Sequence, residues 1–295
     1  MANSPQFLWL TVGFFLGLLC MFGAGPWETV QQCQQLHRYV ARDADEGILK
    51  FGNPGPISDL LKRDAYVTSF NRRDRVPNWV GEHLTTESLT RGPGVKRRDN
   101  FGQDNSVPAL FRALLSDYRR SGFDRGHMAP AGDAVATQKA MDQTFLLTNM
   151  SPQVGRGFNQ NYWAYLEAFC RDLTGNFTDV YVYTGPLFLP KKKTGQLSKR
   201  GAPEYTMTYS LLGDANVAVP THFYKIILIP QGDSFASAAF VLPNEAIDNT
   251  TPLTDFKTDL VAIEKASGLV YFDQLDRSKF TDLCAITRCA VKKIR

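Results

Sequence analysis

The sequence is poor in the residues that build disulfide frameworks and zinc sites. Its 295 residues include only five cysteines and four histidines. The cysteines are too few and too scattered for a disulfide-stapled fold, although Cys284 and Cys289 are close enough in sequence to pair or to lie near each other. No two histidines are four residues apart, and no second Cys/His pair accompanies Cys284 and Cys289. The pattern therefore does not favour zinc.

Low-complexity segments and a strong net charge are also absent. The composition is that of an ordinary globular protein, which excludes a disordered or fibrous chain. A net charge of +4 does not by itself indicate a nucleic-acid-binding protein. The basic residues are clustered, however, and such clusters suit phosphate contacts, although each could equally belong to a solvated loop. The clusters are Lys96–Arg98, Arg119–Arg120, Lys191–Lys193 and Lys199–Arg200.

The N-terminal segment lacks charge. Met1–Gln6 contains no Lys or Arg, and residues 7–25 contain no charged residue at all. A run of about 18–20 apolar residues is long enough for a marginal membrane-spanning helix. A cleaved secretory signal is the alternative, but it would carry basic residues at its start, and an amphipathic transit peptide would contain arginines. We therefore expect residues 1–25 to be an uncleaved signal-anchor or targeting segment, followed by a linker over residues 26–50.

Residues 51–295 are predicted to form one α+β domain built on an antiparallel sheet, because no internal repeat or linker divides them. Alternating apolar residues predict strands over residues 65–70, 77–83, 180–183, 204–212, 222–229 and 234–242. Helical spacing predicts helices over residues 107–120, from near Asn159 through Leu173, and over residues 255–267 with an end at Gly268.

A small set of residues suggests one chemistry. His127 can act as a base near neutral pH, and Arg125, two residues earlier on an extended segment, would share its face. Gly126 between them allows a phosphate to approach the backbone. Asn159 offers an amide oxygen to a hard divalent ion, and Mg²⁺ takes few protein ligands. Glu167 lies about 12 Å further along a helix, so it would hold a metal-bound water rather than the metal.

Each of these residues also has an ordinary interpretation: a satisfied core histidine, an N-cap asparagine and a solvated glutamate. Their ordered occurrence favours Mg²⁺-assisted attack on a phosphodiester. Longer stretches support this interpretation, notably Asp124–His127, Thr148–Gln153, Phe158–Trp163 and Tyr183–Pro190. Together they resemble the DNA/RNA non-specific endonucleases of the ββα-metal superfamily, most closely the mitochondrial endonuclease G group. The resemblance covers residues 51–269.

The resemblance implies that a β-hairpin and a helix hold one metal ion, forming a ββα-metal finger on a larger antiparallel sheet. It implies His127 as general base, Asn159 as ligand of Mg²⁺ (with Mn²⁺ as a substitute) and Glu167 as holder of the metal's water. Other site residues expected on this basis support the reaction or contact the phosphate and substrate: Arg125, Asn149, Arg97, Asp124, Arg98 and Arg156.

The resemblance also implies a cellular role. Members of the group cleave DNA and RNA to 5′-phosphate ends, usually as homodimers, in the mitochondrial intermembrane space. They are linked to mitochondrial DNA turnover and to apoptotic DNA degradation. For this chain the expected partners are therefore DNA and RNA, a second copy of itself, and the mitochondrial inner membrane through residues 7–25.

Two alternatives remain open at this stage. A Cys-His-Asn protease could use Cys170, His127 and Asn159, although Cys170 would then have to be exposed beside His127. A membrane-tethered module that binds nucleic acid without cleaving it would share the basic clusters but would need no metal.

Overall fold

The computed structural model describes residues 47–55, 59–197 and 201–292. The predicted signal-anchor and nearly all of the predicted linker lie outside these residues. In the described part of the chain, no helix is long and apolar enough to cross a membrane. Leu49, at the end of the predicted linker, is buried beside Phe51 against the main sheet.

Eight strands form the main sheet, and it is antiparallel except for the last strand. Their order is β1, β2, β3, β6, β11, β12 and β13, and β14 pairs with β12 in parallel. Their bounds are Asp59–Lys62 (β1), Tyr66–Asn71 (β2), Val76–Leu84 (β3), Val180–Leu187 (β6), His222–Gln231 (β11), Ser234–Pro243 (β12), Lys257–Thr258 (β13) and Phe280–Asp282 (β14). The predicted α+β class with an antiparallel sheet is confirmed.

Both faces of the sheet are covered. On β11, Phe223 and Ile227 pack into the cluster that contains Trp163, whereas Tyr224 and Ile226 pack on the opposite face. Successive side chains of a strand point to opposite faces, so a strand covered on both sides is apolar almost throughout. Seven of the ten residues of β11 are accordingly buried.

Among the described residues, three smaller two-stranded sheets and five short α-helices accompany the main sheet. The strands are β4 (Asp124–His127) with β5 (Met150–Gln153), β7 (Lys191–Leu197) with β8 (Pro203–Thr206), and β9 (Leu211–Leu212) with β10 (Val217–Ala218). The helices are α1 (Leu115–Tyr118), α2 (Gln138–Gln143), α3 (Ala164–Asp172), α4 (Leu260–Ser267) and α5 (Leu283–Ile286). Short 3₁₀ turns lie at Ala109–Phe111, Leu147–Asn149, Leu173–Gly175, Leu253–Phe256 and Arg277–Lys279.

Several predicted elements differ from the structure. The helix predicted over residues 107–120 is wrong, because only a 3₁₀ turn and α1 form there. The apolar repeat that suggested it remains on the surface, with Leu110 76% exposed. The strand predicted over residues 204–212 is divided into β8 and β9, and the helix predicted over 255–267 begins only at Leu260. Its end at Gly268 is confirmed, with φ of 72° in the left-handed region.

The β4–β5 ribbon and α3 position the residues that the sequence singled out. In the ribbon, Asp124 pairs with Gln153 and His127 with Met150. The chain then passes through an irregular helical segment, Gly155–Trp163, which continues directly into α3. Asn159 lies on the irregular segment and Glu167 on α3. Two strands and a following helix thus stand together at one side of the main sheet.

Three cysteines lie in the described part of the chain, and two of them are paired. Cys284 and Cys289 form a disulfide that closes a six-residue loop at the C-terminal end of the described chain. Cys170 on α3 is a free thiol, buried within the cluster that contains Trp163.

Candidate active site

A cavity of about 860 Å³ opens between the β4–β5 ribbon, the start of α3 and the loop before residue 102. Its walls carry most of the residues that the sequence predicted for the site, together with an excess of basic side chains. The ionisable and aromatic lining residues are Arg97, Asp99, Phe101, Tyr118, Arg119, Arg120, Phe123, Asp124, Arg125, His127, Glu167 and Arg171, with the amides of Asn159 and Gln160 beside them. The cavity is therefore suited to an anionic substrate.

His127 is enclosed by aromatic rings. Its imidazole lies 5.0 Å from the ring of Phe145 and 5.7 Å from that of Phe101, centroid to centroid. Burial, followed by the positive charges of Arg97 and Arg125, lowers its pKa to about 3. The Nε2 atom is buried and has no hydrogen-bond partner among the described residues. The low pKa keeps the ring neutral at pH 7, and His127 is among the residues that line the cavity.

The same two rings hold two cations whose charges act on His127. The guanidinium of Arg125 lies 4.1 Å from the centre of the Phe101 ring, and that of Arg97 lies 5.1 Å from the centre of the Phe145 ring. Arg97 also donates from Nε to Asp99 at 3.0 Å. Cation–π contacts of this kind fix the cations without neutralising them. Arg125 and His127 both line the cavity, as their spacing on a strand predicts.

Asp124 fixes the orientation of Asn159. One carboxylate oxygen of Asp124 accepts hydrogen bonds from Asn159 Nδ2 at 3.0 Å and from Gln160 Nε2 at 2.8 Å. A carboxylate only accepts hydrogen bonds, so the NH₂ group of Asn159 must face it and the amide oxygen must point away. These contacts orient the amide of Asn159, and Asp124 also lines the cavity, where the sequence predicts a contact with substrate.

Glu167 is buried at the floor of the cavity, with 9% of its surface exposed. Its pKa is raised to about 7, chiefly by burial, although the charges of Lys225 and Arg171 act in the opposite direction. Asn159 and Glu167 therefore present two oxygen groups, one neutral and one readily ionised, to the same cavity.

Three of the expected site residues do not line the cavity. Asn149 is fully buried, and its amide bonds only to the backbone: Oδ1 accepts from Ala129 N, and Nδ2 donates to the carbonyls of Ala129 and Thr144. It fixes the chain just after His127 and has no donor left for a phosphate. Arg98 and Arg156 are exposed and lie outside the set of lining residues.

Arg171 is a site residue that the sequence reasoning missed. It lines the cavity one helical turn beyond Glu167 and donates to Asp133 at 2.6 Å. Residues i and i+4 share a helix face, so the position of Glu167 on a helix could have indicated Arg171. No comparable signal pointed to Phe101, Phe145 or Gln160.

The structure does not fit the protease alternative. Cys170 is 1% exposed, burial raises its pKa to about 12, and it is not among the residues that line the cavity. A nucleophilic cysteine needs a lowered pKa and access to substrate.

Comparison with known proteins agrees with this geometry. The sequence profile of the family described as "DNA/RNA non-specific endonuclease" matches residues 44–278. Nuclease C1 of Cunninghamella echinulata var. echinulata is 63% identical over 248 residues, which cover 83% of this chain and 95% of that protein. The mitochondrial nuclease of Saccharomyces cerevisiae is 44% identical over 252 residues, covering 83% and 75% of the two chains.

A solved structure shows the same fold. A chain of the crystal structure titled as the EndoG/EndoGI complex superposes with a TM-score of 0.73 at 44% identity, covering 80% of this chain and 94% of that one. The resemblance inferred from the motifs is thereby confirmed. The chain belongs to the DNA/RNA non-specific endonuclease family and is a nuclease similar to endonuclease G.

Proposed function

We propose that this enzyme hydrolyses phosphodiester bonds of DNA and RNA in the cavity beside His127, with the help of a divalent metal ion. The observation that carries the proposal is the buried, unpartnered Nε2 of His127 at the wall of a cavity that five arginines also line. A neutral imidazole that faces a phosphate-binding cavity is suited to take the proton of an attacking water.

The low pKa of His127 serves this step in the free enzyme. It keeps the ring unprotonated, and two of the causes of the low pKa are the charges of Arg97 and Arg125. A phosphate in the cavity would neutralise those charges and so raise the basicity of the ring when substrate is bound. Arg97, Arg125 and Arg171 would contact the phosphate, and Arg98 and Arg156 would contact the strand outside the cavity. Asn149 would act by fixing the chain after His127.

Asn159 and Glu167 fit a hard metal ion. Their oxygen atoms are the ligand type that Mg²⁺ and Mn²⁺ accept, and Asp124 turns the amide oxygen of Asn159 outward. Among the described residues no group of three or more His, Cys, Asp or Glu could hold a metal. The amide oxygen of Asn159 would be the direct protein ligand, with Glu167 acting through a water. When bound, the ion would supply charge neutralisation at the phosphate and the leaving oxygen.

The products would carry 5′-phosphate ends, and sequence preference would be weak. Contacts to phosphate and sugar position a nucleic acid without reading its bases, and the cavity offers mainly guanidinium groups. The names of relatives support a mitochondrial location, since those from Saccharomyces cerevisiae and Homo sapiens are both called mitochondrial. Within the mitochondrion, the enzyme would lie in the intermembrane space. The apolar segment, residues 1–25, would anchor it, residues 26–50 would form a linker, and residues 51–295 would form the enzyme domain. We also propose that the enzyme acts as a homodimer in nucleic-acid turnover and in apoptotic DNA degradation.

A plasmid-nicking assay tests the reaction. We expect Mg²⁺, and Mn²⁺ in its place, to support cleavage of plasmid DNA and of RNA, and EDTA to abolish it. His127→Ala should lose at least about 100-fold in rate, the lower range for a general base. His83→Ala is the matched control, because His83 pairs with Asp179 at 2.7 Å and lies outside the cavity.

The alternative of a binding module without catalysis is tested in the same experiment. His127→Ala should still bind DNA with salt-dependent affinity, because the arginines remain in place. Normal cleavage by His127→Ala, or cleavage that survives EDTA, would contradict the proposed mechanism. Binding without any metal-dependent cleavage by the unaltered enzyme would favour the alternative.

A further inference from the structure

Ionisable side chains are buried beneath α3, behind the wall of the cavity. Lys225 on β11 and Glu82 on β3 are each 1% exposed, and Asp133 is 5% exposed. Lys225 and Phe223 are two residues apart on β11, so they share the sheet face that α3 covers. None of these three residues lines the cavity. Charged groups are almost never buried unless they are paired, so their presence requires an explanation.

Contacts connect the buried side chain of Asp133 to a residue of the cavity and hold that of Lys225 beneath α3. Asp133 accepts from Arg171 Nη1 at 2.6 Å, and Arg171 reaches the cavity. Lys225 Nζ donates to Thr184 Oγ1 at 2.8 Å and lies 4.9 Å from the centre of the Trp163 ring. Thr184 and Trp163 thus place the ammonium group beneath α3, where its charge acts on both Glu82 and Asp133.

The two carboxyl groups behave as a pair. The charge of Asp133 adds to burial in raising the pKa of Glu82. Burial raises the pKa of both carboxyl groups, while Lys225 and Arg171 lower it in part. Arg171 pairs directly with Asp133 at 2.6 Å, which favours the ionised form of the Asp133 carboxyl group.

We propose that Asp133 is a positioning residue for Arg171, and that Glu82 and Lys225 hold the Asp133 carboxylate in place for this task. Arg171 is attached to α3 through a long side chain, and without an anchor its guanidinium would sample many positions in the cavity. A salt bridge to a carboxylate that is itself fixed from behind removes that freedom. The inference rests on the proposed function, since it assumes that Arg171 meets the phosphate of the substrate.

The space around Arg171 agrees with this role. Gly132, immediately before Asp133, lies against the guanidinium, such that a Cβ at this position would be 3.2 Å from Nη1 of Arg171. The turn that carries Asp133 therefore contacts Arg171 through its backbone as well as through its carboxylate. The guanidinium is held between this turn and the cavity.

A double-mutant cycle tests the proposal. The variants are Asp133→Asn, Arg171→Ala and the two combined, and kcat and KM are measured on a short DNA duplex with Mg²⁺. We expect Asp133→Asn to lower kcat/KM by about 10- to 100-fold, the range for residues that orient a ligand or a phosphate-binding group. The double variant should be no slower than Arg171→Ala, because Asp133 acts only through Arg171.

Substitutions of Glu82 test independently whether the buried side chains behind Asp133 support its role. Glu82→Gln places a hydrogen-bond donor next to Asp133, whereas Glu82→Leu has none. We therefore expect Glu82→Gln to exceed Glu82→Leu in kcat/KM by about fivefold, the effect of one hydrogen bond. Asp179→Asn is the matched carboxylate control, since Asp179 pairs with His83 outside the cavity. Urea unfolding of every variant identifies losses of activity that only reflect unfolding.

The outcomes separate this inference from the proposed function. Losses that multiply in the double variant, or a folded Asp133→Asn variant with unchanged kcat/KM, would overturn the positioning role. If Asp133→Asn does not fold, Asp133→Glu, which keeps the charge and moves the carboxylate by one methylene, enters the same cycle. His127→Ala is assayed in parallel: full activity in that variant would contradict the proposed reaction site itself, whatever the cycle shows.

Discussion

His127 couples the candidate site to the stability of the fold. Its pKa is about 3 in the folded protein and about 6.5 in an unfolded chain. As pH falls below 6.5, His127 binds a proton in the unfolded state but not in the folded state. Stability is therefore lost progressively down to about pH 3. Between pH 7 and pH 5 we expect the unaltered protein to lose about 2 kcal/mol more unfolding free energy than His127→Gln, measured by urea unfolding in EDTA.

The comparison with His127→Gln isolates this one side chain. Glu167 contributes a slope of the opposite sign, because its raised pKa of about 7 makes the folded state bind the extra proton between pH 4.5 and 7. That contribution is present in both proteins and cancels in the difference. Equal losses for the two proteins would show that neither burial nor Arg97 and Arg125 lower the pKa of His127 as described.

Some residues of the site could be predicted from the sequence, and others could not. The common face of Arg125 and His127 follows from strand geometry, and the chemistry of Asn159 follows from its amide. Asp133 and Arg171 are 38 residues apart and meet only because the turn after β4 packs against α3. The role of Asn149 likewise depends on which backbone groups surround its amide after folding. Such long-range pairings have no signature in local sequence.

The irregular segment before α3 depends on Gly157. Its φ is 89°, in the left-handed region, and a Cβ there would lie 2.6 Å from the Cβ of Ala246. Asn159 follows two residues later, so distortion at Gly157 is transmitted to the amide that Asp124 orients. We expect Gly157→Ala to lower the unfolding free energy by roughly 1–3 kcal/mol and to lower kcat, measured by urea unfolding and plasmid nicking.

Gly175→Ala is the control for this substitution. Gly175 has no positive φ, and a Cβ there would meet no atom within 4 Å. It should change the unfolding free energy by less than about 0.5 kcal/mol and leave cleavage intact. If Gly157→Ala were as stable and active as this control, the left-handed turn would not determine the position of Asn159.

Secondary-structure elements were predictable where burial and periodicity agreed. β11 and β12 alternate between two covered faces, and the sequence located both strands closely. The helix prediction for residues 107–120 was wrong because apolar periodicity alone does not ensure that the apolar face is buried. Pro108 precedes the 3₁₀ turn, and Asp117 accepts a hydrogen bond from the Leu114 backbone, which begins a separate short helix. Local polar contacts therefore prevailed over the apolar repeat.

At the scale of the whole molecule, the net charge does not reveal how unevenly the basic residues are distributed. A total of +4 is modest, yet Arg97, Arg119, Arg120, Arg125 and Arg171 line one cavity against three acidic residues there. The sequence indicated the clusters but not their convergence, because Arg119, after α1, and Arg171, on α3, line the same cavity only in the folded chain. Long-range electrostatic attraction of nucleic acid is thus a property of the fold.

That convergence predicts how binding responds to salt. Each phosphate neutralised by a basic side chain releases condensed counterions, so log K falls with log salt by about 0.9 per contact on duplex DNA. In a His127→Ala background with EDTA, Arg119→Ser should reduce this slope by about one, to a similar extent on duplexes of different sequence. Lys139→Ser is the control, since Lys139 pairs with Asp64 at 3.0 Å and lies outside the cavity. Fluorescence anisotropy between 50 and 200 mM salt measures both variants. A slope that Arg119→Ser leaves unchanged, or changes on one sequence alone, would place the nucleic acid elsewhere on the surface.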